Sequence, residues 1–170
     1  MEINEKIKQI IMDFFSKELG EDSNVYQLIC ERMKKLQIEV VDNDSFVEKY
    51  RKIKGENASI PSGYYYPGDG KVYLKNNNVE KTFVFETMIH ETVHALSDNE
   101  KSKLGLKQYD AGIGGMFNEM ATCYITSKIL GYGNGGSYSR DSREAFKMFL
   151  TTMQMNDNEF FRNFFQIRVC

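Results

Sequence analysis

The sequence predicts an α+β fold of one domain, residues 1–170, on three observations. Apolar residues recur every three or four positions near both ends of the chain, the mark of amphipathic helices. Two short β-prone segments flank the turn Pro67-Gly68-Asp69-Gly70 between those ends. At 170 residues, with 41% apolar and 27% charged, the chain has the size and composition of a unit that encloses its own core.

The elements follow in order. Ile3, Ile7, Ile10, Ile11, Phe14, Phe15 and Leu19 keep helical spacing, and Gly20 ends the run. A second helix is expected from about Asn24 to Leu36, with Val25, Leu28, Ile29, Met33 and Leu36 inward and the methionines as packing. Ile38 to Val41 reads as a short strand. Ser45, with Glu48 three residues on, predicts a capped helix reaching about Lys52. Ser59 to Tyr66 is β-prone, and Lys71-Val72-Tyr73-Leu74-Lys75 alternates with a lysine at each end, which predicts an edge strand. Together these two segments predict a hairpin.

Asn77 and Glu80 approximate a capping box for a helix running from Val79 to about Asp98. On that helix Phe85, Met88, Ile89, Thr92 and Leu96 form one arc, and His90 and His94 project from nearly the opposite side. A helix packed on one side and lining a cleft on the other is expected. Residues 99–115, with Gly105, Gly112, Gly114 and Gly115, read as a loop, and one longer than about 12 residues in a compact domain is usually functional. Met116 to about Leu130 predicts the next helix. It turns Phe117, Met120, Ala121, Tyr124 and Ile125 inward, and Glu119 to the other side with Met116, Thr122, Cys123 and Thr126. Gly131 to Tyr138 is a glycine loop without the strand–loop–helix context of a phosphate site. Asp141, with Glu144 three on, predicts a cap for a helix through about Met153, and Phe160, Phe161, Phe164 and Phe165 mark a last helix.

Composition excludes several functions. A formal net charge of −2 offers no electrostatic footprint for nucleic acid. No apolar run approaches the roughly 20 residues that cross a bilayer, so no membrane role is expected. The start of the chain lacks a basic stretch followed by an apolar one, and three scattered cysteines (Cys30, Cys123, Cys170) fit no disulfide framework. A cytoplasmic monomer is the expectation, with leaderless export left open.

The chemistry centres on Met88 to Asp98. The chain has two histidines, His90 and His94, four residues apart with Glu91 directly after the first. Positions i and i+4 lie one turn apart on a helix, so both imidazoles can bind one metal ion and Glu91 can reach a water on it. A five-residue His-Glu-x-x-His pattern also arises by chance. Here it holds both histidines of the chain, sets them opposite the apolar arc, and has a third ligand available downstream. A catalytic zinc needs three protein ligands and an open position, and the third must come from another element. Glu119 meets that need, 25 residues after His94 on the next helix.

His90-Glu91-Thr92-Val93-His94 with Asn118-Glu119 downstream resembles the gluzincin metallopeptidases, whose His-Glu-x-x-His helix is followed by a Glu on the next helix. Ala95-Leu96-Ser97-Asp98 is similar to the thermolysin-type continuation of that helix, and the small size resembles the minigluzincins. The motifs cover about residues 71–130. The resemblance implies a zincin-like core: an N-terminal subdomain (1–99) with a small twisted sheet and the histidine helix, then a mainly helical C-terminal subdomain (100–170). A peptide or protein substrate would lie in the cleft between them, extended along Lys71 to Lys75 as the edge strand. It also implies Zn2+ on His90, His94 and Glu119, with Glu91 as general base. Zinc would lower the pKa of its water, and Glu91 would pass the proton to the leaving amine.

Two positions depart from the family pattern. Cys123 stands four residues after Glu119, where the thermolysin-like pattern has an aspartate that orients a zinc histidine; Asp98 or Thr122 can take that part instead. No third histidine exists to stabilise the oxyanion. Tyr109 and Tyr138, the latter followed by Arg140, are the candidates, and the tyrosine that some small gluzincins carry shortly before the third ligand favours Tyr109. Two other readings stay open. One resembles the repressor-cleaving proteases of mobile elements, through Glu119-Met120-Ala121-Thr122. The other is a binding-only protein on a degenerate peptidase scaffold, against which the intact Glu91 argues.

Overall fold

A strand flanked by lysines can still be buried when helices cover both faces of its sheet and another strand pairs with each edge. The computed structural model of the chain, which describes residues 3–76, 81–98, 113–131 and 140–166, shows that arrangement. Strands β1 (Gln37–Val41), β2 (Gly63–Tyr66) and β3 (Lys71–Lys75) form one sheet in the order β1-β3-β2. β1 runs parallel to β3 with Ile38 opposite Val72, and β2 runs antiparallel with Tyr64 opposite Tyr73. The strand at Lys71–Lys75 is therefore central, and the edge assignment is corrected: the edge strands are β1 and β2. Its lysines are poor guides because Lys71 pairs with the Glu39 carboxylate on the neighbouring β1, a cross-strand partnership rather than a guard against further pairing.

Alternation along β3 joins two layers. Val72 and Leu74 enter the main core, while Tyr73 packs with Tyr64 and Phe46 on the other face. Phe46 belongs to α3 (Asn43–Lys54). The cap of α3 is Asp42, whose Oδ1 accepts from the Ser45 N–H at 3.0 Å, so the helix starts before Ser45 and the Ser45 cap is corrected. A carboxylate three residues upstream is a stronger acceptor for that N–H than a hydroxyl further along the chain.

The main core is a single cluster drawn from both halves of the chain. It joins α1 (Ile3–Leu19), α2 (Asn24–Lys35), α4 (Lys81–Ser97), α5 (Ile113–Ile129), α6 (Arg140–Thr152) and α7 (Asp157–Gln166). Phe15 of α1 meets Phe161 and Phe165 of α7 edge-to-face, at centroid distances of 5.8 and 5.0 Å. A reciprocal box starts α7: the Glu159 N–H donates to Asn156 Oδ1 at 2.9 Å and the Asn156 N–H to Glu159 Oε2 at 3.1 Å. Arg32 of α2 donates to the Leu96 carbonyl (2.5 Å) and the Phe165 carbonyl (3.2 Å), tying the last turns of α4 and α7 together with a cation where helix carbonyls gather.

Three further expectations change. Gly114 and Gly115 lie inside α5 (Ile113–Ile129) rather than in a loop, and residues 99–112 lie outside the described residues. Asp141 sits in the first turn of α6, which begins at Arg140, and is not its cap. The Asn77–Glu80 box lies outside the described residues. Most consequential is α4, which is not one-sided. From Glu86 to Ser97 every residue is buried, including Glu86, Thr87, His90, Glu91, His94 and Ser97. The sheet and core cover the apolar arc, and α5 lies across the turn that carries the histidines. A helix buried all round yet rich in polar groups must provide each of them with a partner, which directs attention to the histidine turn. Among the described residues, no helix is long and apolar enough to cross a membrane.

Candidate metal centre

The two imidazoles lie 4.7 Å apart between ring centroids, at 81° to each other. Their Nε2 atoms are 3.1 Å apart. The Glu119 carboxylate reaches across from α5 and closes a triangle, with Oε2 at 3.3 Å from His90 Nε2 and Oε1 at 3.2 Å from His94 Nε2. Tetrahedral zinc with bonds of about 2.0–2.1 Å sets neighbouring ligand atoms about 3.3 Å apart. The triangle therefore has the dimensions of one face of such a site, composed of two nitrogens and an oxygen, the ligand types zinc takes. Among the described residues, this is the group of three or more metal-ligating side chains that converges.

The three donors differ in setting. His90 and His94 are buried, whereas 59% of the Glu119 side chain is exposed although its oxygens lie between the imidazoles. Burial works to raise the Glu119 pKa, but hydrogen bonds to His90 and His94 and their charges outweigh it and hold the carboxyl well below the usual range. Glu119 thus stands ready as an anionic donor.

Behind the triangle, His94 Nδ1 faces Asn118 Nδ2 at 3.1 Å and Thr122 Oγ1 at 3.4 Å. A histidine that gives Nε2 to a metal carries its proton on Nδ1 and donates it, so its partner must accept. Thr122 Oγ1 accepts directly, and Asn118 does so once its amide turns by 180° to present Oδ1. Thr122 was one of the two supports expected from the sequence. The other, Asp98, accepts from the Tyr65 hydroxyl at 2.6 Å. Asn118 was missed as a support, though its spacing from Thr122 (i, i+4 on α5) was readable. Cys123 is buried and outside the converging group. Replacing Asn118 by Ala is expected to weaken zinc binding by about 10–100-fold, and Asn118→Asp, which keeps an acceptor, to preserve it. A competition titration against a chelating dye measures both.

The triangle opens onto a cleft of about 510 Å³ that β2, Ile60, Pro61, Tyr50 and Lys54 also line. Glu91 lies in that cleft, and its Oε2 accepts from the Tyr65 N–H at 2.8 Å. The β2–β3 register explains why that N–H is available. The Lys75 N–H donates to the Ser62 carbonyl, so Ser62, Tyr64 and Tyr66 turn their main-chain groups toward β3, while Gly63 and Tyr65 turn theirs outward. Gly63 permits the close approach of β2 to α4. A Cβ there would lie 2.8 Å from Thr87 Cγ2 and 2.9 Å from Leu74 Cδ2, so any larger residue would push the strand off the helix.

Tyr50 is a cleft residue that the sequence reading passed over. Its ring packs on Tyr64 at 5.1 Å, and burial, then the Glu91 charge, raise its phenol pKa and keep it a neutral donor. The two tyrosines expected to stabilise an oxyanion, Tyr109 and Tyr138, lie outside the described residues. Arg140 opens α6 and is exposed. No family model, curated protein or solved structure matches the chain.

Proposed function

We propose that the chain is a zinc-dependent endopeptidase of gluzincin type, with His90, His94 and Glu119 as metal ligands and Glu91 as general base. The observation that carries this reading is the ligand triangle, sized for zinc, on the wall of a cleft that also holds the Glu91 carboxylate. A zinc ion held there supplies Lewis acidity, polarising a carbonyl and making water acidic near neutral pH.

The chain's own groups do the rest. The Tyr65 N–H fixes Glu91 Oε2, leaving Oε1 to take a proton from attacking water and return it to the departing amine. Because β3 is the central strand and β2 lines the cleft, an extended peptide would run beside β2 rather than along Lys71–Lys75. Tyr50, which lines the same cleft, would offer its hydroxyl as a donor. Asn118 and Thr122 keep His94 oriented.

Metal removal is the direct test. The purified chain is expected to carry one zinc per molecule and to cleave members of a peptide library. Dialysis against a chelator should abolish cleavage and stoichiometric zinc should restore it, while magnesium, which prefers six oxygen ligands, should not. A chain without zinc affinity, or a zinc-loaded chain that leaves the whole library intact, would sink the proposal.

A further inference from the structure

We infer that Tyr65 is a positioning residue for Glu91: it straps β2 onto α4 at two points, and its side-chain bond to Asp98 holds its main-chain bond to Glu91 in place. The inference rests on the role proposed above for Glu91. Its geometric basis is independent of that role.

One residue makes both contacts. The Tyr65 N–H donates to Glu91 Oε2 at 2.8 Å, and the Tyr65 hydroxyl donates to Asp98 Oδ2 at 2.6 Å. Glu91 lies inside α4 (Lys81–Ser97) and Asp98 one residue beyond its end, so the main-chain and side-chain donors of Tyr65 reach two carboxylates of the same segment. Asp98 itself is fixed at the end of α4, where its N–H bonds the Ala95 carbonyl at 3.3 Å. Arg32 holds the neighbouring Leu96 carbonyl, so the anchor point is tied to α2 as well.

β2 needs such an anchor because it is an edge strand. Its inner side is fixed by the ladder to β3, and on its outer side, among the described residues, Tyr65 bonds Glu91 of α4 and Asp98 just beyond it. Without the second contact, rotation of the strand about that ladder would carry the Tyr65 N–H away from Glu91. The ring is half-buried against the main core, and burial, followed by the Asp98 hydrogen bond and charge, keeps the phenol protonated and donating. The residue also lines two clefts, the one that holds Glu91 and a second of about 520 Å³ that it shares with Arg32 and Asp98.

Tyr65→Phe removes the outer contact and keeps the ring. Because displacement of a reacting group by about 1 Å can cost on the order of 100-fold, kcat is expected to fall by about 10–100-fold, with KM and zinc content unchanged. Asp98→Asn, whose amide oxygen still accepts, should stay near wild type. Asp98→Ala should match Tyr65→Phe in kcat, and the double variant should be no worse than either, the signature of one shared interaction. Amide exchange at residue 65 supplies a readout that needs no substrate: it should accelerate in Tyr65→Phe and Asp98→Ala but not in Asp98→Asn. If wild type cleaves nothing, the peptidase reading fails while the exchange data still decide the strap. Unchanged exchange at residue 65, or a Tyr65→Phe variant that alters only KM or melting temperature, would overturn the inference.

Discussion

Glu91→Gln is expected to lower kcat by about 100- to 10,000-fold while zinc stays bound one per chain. The substitution separates the proton-transfer role from everything else the residue does. Glutamine has nearly the same shape, and its amide oxygen can still accept from the Tyr65 N–H that now holds Glu91 Oε2. What it cannot do is take a proton from water and give it up again. Zinc content should not change, since the converging donors are His90, His94 and Glu119. Nor should the fold weaken, because Glu91 is 92% buried (8% exposed) and a neutral amide avoids burying a charge there. The expected pattern is therefore a collapse of kcat with KM, melting temperature and metal content near wild type. Steady-state kinetics beside metal analysis checks it. Full activity in a zinc-loaded Glu91→Gln chain would place the base elsewhere and remove the main mechanistic claim.

The His90–His94 pair was legible in one dimension because a metal site of this kind would demand fixed residue types at a fixed helical spacing. His90 and His94 satisfy that demand within five residues, and Glu119 could be nominated from its place on the following helix. The core helices were legible for a similar reason: Ile7, Ile11 and Phe15 repeat with the period of the structure they form. Sheet order was not. Lys71 and Lys75 read as guards of an edge, yet Tyr73 between them buries its ring on Tyr64 at 5.1 Å, so the strand is packed on both faces. The cap of α3 was misplaced for want of a way to weigh Asp42 against Ser45, both acceptable acceptors in sequence. The supports of the site were the least visible. Tyr65 lies 26 residues before Glu91, and Tyr50 is further still, so their approach depends on how β2 and α3 fold back over α4. Asn118 was nearest to being read, since its neighbour had already been chosen as a ligand.

Glu119→Ala is expected to remove zinc binding and with it the stabilisation that zinc gives the fold. Wild type at zinc concentrations about 100 times its dissociation constant gains about 2.7 kcal/mol of stability. For a chain of this size, where each kcal/mol moves the melting temperature by about 2–4 °C, that is a rise of about 5–10 °C. The alanine variant should show almost none of it at the same zinc concentration, because a pair of imidazoles one turn apart covers only one edge of the ion. In the absence of zinc the alanine variant should melt lower than wild type by a smaller margin, since the Glu119 carboxylate also bonds His90 and His94 in the metal-free fold. The loss in affinity should exceed that of Asn118→Ala, because a ligand is removed rather than the support of one, and should pass about 100-fold. Glu119→Gln, which keeps a carbonyl oxygen in the same place but not its charge, should fall between. Thermal melts with and without zinc, run beside competition titrations, test each step of this order. An alanine variant that binds zinc as tightly as wild type would mean that the third ligand comes from another part of the chain and that the 3.1–3.3 Å triangle is only a packing contact.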